Sequence, residues 1–126
     1  MGYSTFHDMT VRGREFTQET LDKLNEWLND RGVIGYALEE GKFCDCPNTD
    51  DFIAEFSCNT SVAWYEHEED IVACSKAFPD LTFLLHGEGE DSADLWDQYF
   101  HNGETELCIA QIVYPRPEKI SWPSFY

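Results

Sequence analysis

Residues 61–86 read SVAWYEHEEDIVACSKAFPDLTFLLH. This stretch holds a helix, its stop and a strand in immediate succession. Trp64, Ile71, Ser75 and Phe78 fall on one side at helical spacing, with Val72 beside them, which predicts a helix from about residue 61 or 64 to residue 78. Glu66, Glu68, Glu69 and Asp70 fill its first half, where carboxylates complement the positive end of a helix dipole. Pro79 restricts the residue before it and ends the helix. Leu81, Phe83 and Leu85 then alternate with Thr82, Leu84 and His86, the period of a strand with one buried face.

The flanking segments extend this pattern. Tyr3, Phe6, Met9 and Val11 predict a first strand over residues 3–12. Thr17 is an N-cap, with Thr20 at the N3 position. Leu21, Leu24, Trp27 and Leu28 make the apolar stripe of a first helix, which Arg31 and Gly32 close. The run Val33, Ile34, Tyr36, Ala37, Leu38 predicts a strand directly after it. Gly41 and CDCPNTDD mark a turn or loop. Phe52, Ala54 and Phe56, alternating with Ile53 and Glu55, predict a strand covered on both faces that pairs with its predecessor as a hairpin. After the GEGEDSAD loop, residues 95–101 and 105–114 predict two strands around Asn102-Gly103, a strong hairpin turn. The order is β-α-β-β-α-β plus a hairpin. It predicts an α+β fold of the split β-α-β, ferredoxin-like kind: an antiparallel sheet, two helices on one face and an added C-terminal β-hairpin. Residues 1–114 form one domain, and residues 115–126, with three prolines, form an irregular tail packed on it. A chain of 126 residues with nine Phe, six Tyr and four Trp has the core material for this.

The middle of the chain, FIAEFSCNTSVAWYEHEEDIVACSKAFPDLTFLLHGEGEDSADLWDQYFHNGE, resembles small phage and plasmid proteins with a YubB-type ferredoxin-like domain. Thr60, Trp64, Ser75, Phe78, Pro79, Phe83, Glu88, Glu90 and Gly103 carry the resemblance, which spans about residues 51–106. Val62 and Ala63 stand where that family usually opens its helix with prolines. The resemblance implies a ferredoxin-like fold and a mobile-element origin. It implies no enzyme activity and transfers no catalytic residues.

No motif carries chemistry. There is no nucleophile elbow, phosphate loop or dinucleotide fingerprint, and abundant carboxylates make any single acidic pair uninformative. The glycines of residues 87–91 (GEGED) mimic a phosphate loop only superficially, because three carboxylates repel phosphate. Those acids could offer oxygen ligands to a cation, but calcium-loop spacing is absent. Cys44 and Cys46 lack the second close pair that zinc requires and read as reduced thiols. Cys58, Cys74 and Cys108 lie among apolar residues, as small core residues do. His67 reads as a surface or helix-end histidine, while His7, His86 and His101 are scattered. A non-enzymatic protein with no cofactor and no metal is expected. Without a signal-like apolar run or a membrane-length apolar segment, a soluble cytoplasmic protein is expected.

Charge narrows the partner. Net charge is −17, and residues 39–106 hold eighteen Asp and Glu against Lys42 and Lys76. Such a chain repels nucleic acid and anionic membrane and attracts basic protein surfaces. The expected role is that of a DNA-mimic inhibitor of phage or mobile-element origin. It would cover the nucleic-acid groove of a host defence protein such as a CRISPR effector or restriction enzyme. Glu66, Glu68, Glu69, Asp70, Glu88, Glu90, Asp91 and Asp94 are the candidate partner-binding residues. The alternative is an accessory interaction module of a mobile element whose acidity serves only solubility.

Overall fold

The computed structural model describes residues 4–44, 52–90 and 94–111. Its centre is β1 (Phe6–Gly13), paired antiparallel on one side with β3 (Phe52–Phe56) and on the other with β4 (Thr82–Glu88). The two-residue β2 (Lys42–Phe43) flanks β3, while β5 (Leu95–His101) and β6 (Glu104–Ile109) extend the sheet beyond β4. The antiparallel sheet therefore runs β2-β3-β1-β4-β5-β6. Two helices, α1 (Gln18–Asp30) and α2 (His67–Ala77), complete an α+β fold.

Strand alternation sorts the sheet into two faces. Met9, Val11, Ala54, Phe56, Phe83, Leu85 and Phe100 point to the buried face and form one core with Leu21, Leu24 and Leu28 of α1 and Ile71 and Cys74 of α2. Each leucine of that stripe contributes about 1.5–3 kcal/mol on burial. The other face keeps Phe6 and Tyr99 exposed. The strand over 52–56 is thus packed on one face only: Ala54 and Phe56 are buried while Glu55 is exposed.

The local signals act as expected at several points. Thr17 caps α1 by accepting from the Thr20 backbone N–H, and Gly32 follows the helix at φ +82°. Asn102 and Gly103 both take positive φ in the β5–β6 turn, +44° and +85°, as a two-residue hairpin of this hand requires.

Other expectations are corrected. Residues 33–38 form no strand. The Val33 carbonyl accepts from the N–H groups of Tyr36, Ala37 and Leu38, and Gly35 turns at φ +88°. The run coils over the end of α1 and buries Val33, Ala37 and Leu38 there. Strand β2 comes later and is only two residues long. Helix α2 begins at His67, not at 61 or 64, because Val62 is held extended by two backbone hydrogen bonds to Thr5. Cys108 is exposed on β6 and Cys58 half-buried, so of these three only Cys74 is a core thiol. Strand β6 ends at Ile109. Most of the CDCPNTDD loop, Cys46 included, and the tail 115–126 lie outside the described residues.

Gly41 secures the β2 end of the domain. Asn25 of α1 both accepts from its N–H (2.7 Å) and donates to its carbonyl (3.2 Å). A Cβ at this position would stand 2.0 Å from the ring of Phe56. Gly41→Ala is expected to lower stability by about 1–3 kcal/mol through overpacking, read as a lower urea midpoint at unchanged slope.

Candidate functional site

The buried face of the sheet changes character along its strands. Val11, Phe83 and Phe100 lie abreast at one end. Two residues further along each strand come Met9, Leu85 and Gln98, and then His7, Gly87 and Trp96. The third row opens towards β6, where Ile109 lies opposite Trp96 and Leu107 opposite Gln98. Gly87 is part of β4, not of a loop. A Cβ on it would meet the Trp96 indole at 2.1 Å, so the missing side chain is what lets that ring lie across the strand.

The start of α2 builds a wall over this floor. Trp64, buried just before the helix, donates its indole N–H to Asp70 Oδ2 at 2.7 Å. His67 Nδ1 donates to the Trp64 carbonyl at 3.0 Å, and its ring stacks on Trp96 at 5.0 Å and 26°. His7 meets both tryptophans edge-on, at 5.2 Å from Trp64 and 5.9 Å from Trp96, with His67 6.0 Å away. Between floor and wall lies a cavity of about 320 Å³, with Tyr65, Asp94, Leu107 and Ile109 also lining it. Tyr65 is 70% exposed and Ile109 68%.

Two polar groups stand inside. The buried Gln98 amide donates to Glu68 Oε1 (2.8 Å) and Thr105 Oγ1 (2.9 Å). His7 is 1% exposed, and its Nδ1 is the one buried side-chain nitrogen or oxygen among the described residues without a hydrogen-bond partner. Burial first, and then the neighbouring His67, lower the His7 pKa to about 4. The imidazole is therefore neutral at pH 7 and offers a lone pair. Among the described residues no three His, Cys, Asp or Glu side chains converge as metal ligands.

The candidate acids divide among different tasks. Glu66 caps α2 without a side-chain bond, Glu69 is exposed in its first turn, and Asp70 is tied to Arg31 Nε at 3.1 Å. Glu88 accepts from His86 on the opposite face of the sheet, and Glu90 accepts from the Ser4 N–H. Asp94 lines the cavity and Glu68 borders it through Gln98. Asp91 lies outside the described residues. The two acidic segments thus approach one cavity from α2 and from the β4–β5 connection. Acidity also extends elsewhere, since Asp22, Glu26 and Glu40 line a second groove beside α1. The aromatic cavity itself was not expected. Its signal lay in the inward alternation Thr5, His7, Met9, Val11 and in a glutamine on the inward side of a strand.

His7 makes stability depend on pH. Its folded pKa of about 4 lies below the ordinary 6.5, so the unfolded chain binds the extra proton between those values. The contribution is full above pH 6.5 and is lost as pH falls towards 4. His7→Phe is expected to flatten this part of the curve, measured by urea unfolding across pH 4–7. His86 has the opposite sign. Its hydrogen bond to Asp97 chiefly raises its pKa, so its contribution holds at low pH and fades as pH rises through the folded value.

No family model, curated protein or solved structure matches this chain, so the geometry and charge of the site carry the functional reading.

Proposed function

We propose that this chain is a non-enzymatic acidic binding protein that occupies a basic, nucleic-acid-binding surface of a partner protein, as a DNA mimic does. The observation that carries the reading is that each acidic segment brings a carboxylate to one aromatic cavity, Glu68 through Gln98 and Asp94 in the lining. Charge alone gives solubility, whereas carboxylates beside a concave aromatic surface favour cations there. All twenty described carboxylate side chains are exposed or half-buried, so they reach a partner at little desolvation cost. The β-α-β-β-α-β element order supports the ferredoxin-like form. The six-strand sheet differs from a four-stranded split β-α-β sheet by the two strands beyond β4. A mobile-element origin and a host defence target, as the YubB-type resemblance implies, belong to the same proposal.

The test is a pull-down from lysate followed by competition with duplex DNA and a salt series. Retained protein is expected to be displaced by DNA, with affinity falling about tenfold or more between ~50 and ~200 mM salt. Glu66→Lys with Glu69→Lys, at exposed positions, is expected to weaken binding about tenfold. Asp22→Lys with Glu26→Lys on α1 leaves it nearly unchanged. Affinity indifferent to salt and to the first pair of substitutions would overturn the reading in favour of acidity that serves solubility alone.

A further inference from the structure

The cavity has the make-up of a seat for one long cationic side chain. Its walls are aromatic, from Trp64, His67 and Trp96, and Leu107 and Ile109 form an aliphatic strip at its mouth. Asp94 supplies a carboxylate. At the base lies the buried His7, whose Nδ1 has no hydrogen-bond partner. A buried nitrogen left without a partner is destabilising, and an incoming N–H removes that penalty. We infer that the cavity receives an arginine side chain of the basic partner, an inference that rests on the partner class proposed above.

The chemistry favours arginine over lysine. A guanidinium is planar, carries five N–H donors and is weakly hydrated, so it stacks along indole and imidazole rings while donating in its own plane. Donation to Asp94 is charge-assisted, and further N–H groups are available for His7 Nδ1. The methylene stem suits Leu107 and Ile109. A compact, strongly hydrated ammonium gives up more water on entering such walls and reaches fewer acceptors. A cavity of about 320 Å³ has room for one such side chain.

The test titrates ¹⁵N-labelled protein with N-acetyl-arginine methylamide, with its lysine counterpart and with the neutral citrulline counterpart of equal length. The Trp64 and Trp96 indole N–H signals and the Gln98 side-chain amide are expected to shift with the arginine compound. The citrulline compound is expected to bind about tenfold or more weakly. Leu107→Trp fills the mouth without changing charge, at an exposed strand position that tolerates an aromatic ring. It is expected to abolish those shifts and to weaken the pulled-down partner about tenfold. Equal binding of the citrulline compound, or shifts confined to α1, would overturn the inference. Full partner affinity in Leu107→Trp overturns it too while leaving the partner class standing. Arginine shifts at the cavity without any salt-sensitive basic partner support the seat and overturn the earlier reading.

Discussion

One carboxylate ties the segment before the second helix to both helices. Asp70 accepts from the Trp64 indole at 2.7 Å and from Arg31 at 3.1 Å, so it joins the chain before α2, the first turn of α2 and the end of α1. The Arg31 guanidinium also lies over the Trp27 ring at 5.1 Å. With Asp70 only 17% exposed in its side chain, this pair is screened less than a surface ion pair. The arrangement keeps Trp64 out of the helix and buried, which turns an expected helical stripe residue into a wall of the cavity. At the other end of α2, Ser75 Oγ accepts from the Gly103 N–H at 2.8 Å and fixes the helix against the β5–β6 turn. The helix is held at both ends over β4 and β5, and it stops short of β6.

That stopping point explains most of the difference between the residues' periodicity and their environment. Strand β6 lies beyond the cover of α2, so its inward-facing Leu107 and Ile109 are exposed although their spacing is that of a packed strand. Cys108, between them in sequence, faces the outer side of the sheet with Asp97 and is exposed there. Elements with their own local chemistry were legible. The Thr17 cap, the leucine stripe of α1, the alternation around Phe83 and the Asn102-Gly103 turn need no distant partner to form. Where tertiary contacts decide, sequence is ambiguous. A β-rich run between two glycines coils when Val33, Ala37 and Leu38 can be buried at the end of a helix. The aromatic cavity was illegible because its residues come from β1, β5 and the segment before α2, far apart in the chain.

The candidate acids also answer to the fold. Glu68, Glu69 and Asp70 sit in the first turn of α2, where the helix dipole favours them. Glu88 and Asp97 share His86 on the outer face of the sheet. These local roles offset only part of the repulsion among so many carboxylates. The excess raises the free energy of the isolated domain, and a basic surface relieves it. Electrostatic attraction of cations is therefore spread over the whole chain, and any selectivity among them has to come from shape.

Shape is what the polar end of the inner sheet face supplies. Continuing the apolar rows with leucine at positions 7, 87 and 98 would have closed the core. Instead the chain places an imidazole, a glycine and an amide there. The glycine admits an indole against the strand, the amide NH2 donates to Glu68 and Thr105, and the imidazole keeps one nitrogen unpaired. Each of the three departs from the best choice for packing, and they lie together on adjacent strands. An uncompensated polar atom in a core is a local conflict, and such conflicts cluster where a protein's surface has been shaped for a ligand. The cavity is thus best understood as an interruption of the core that a bound N–H donor completes.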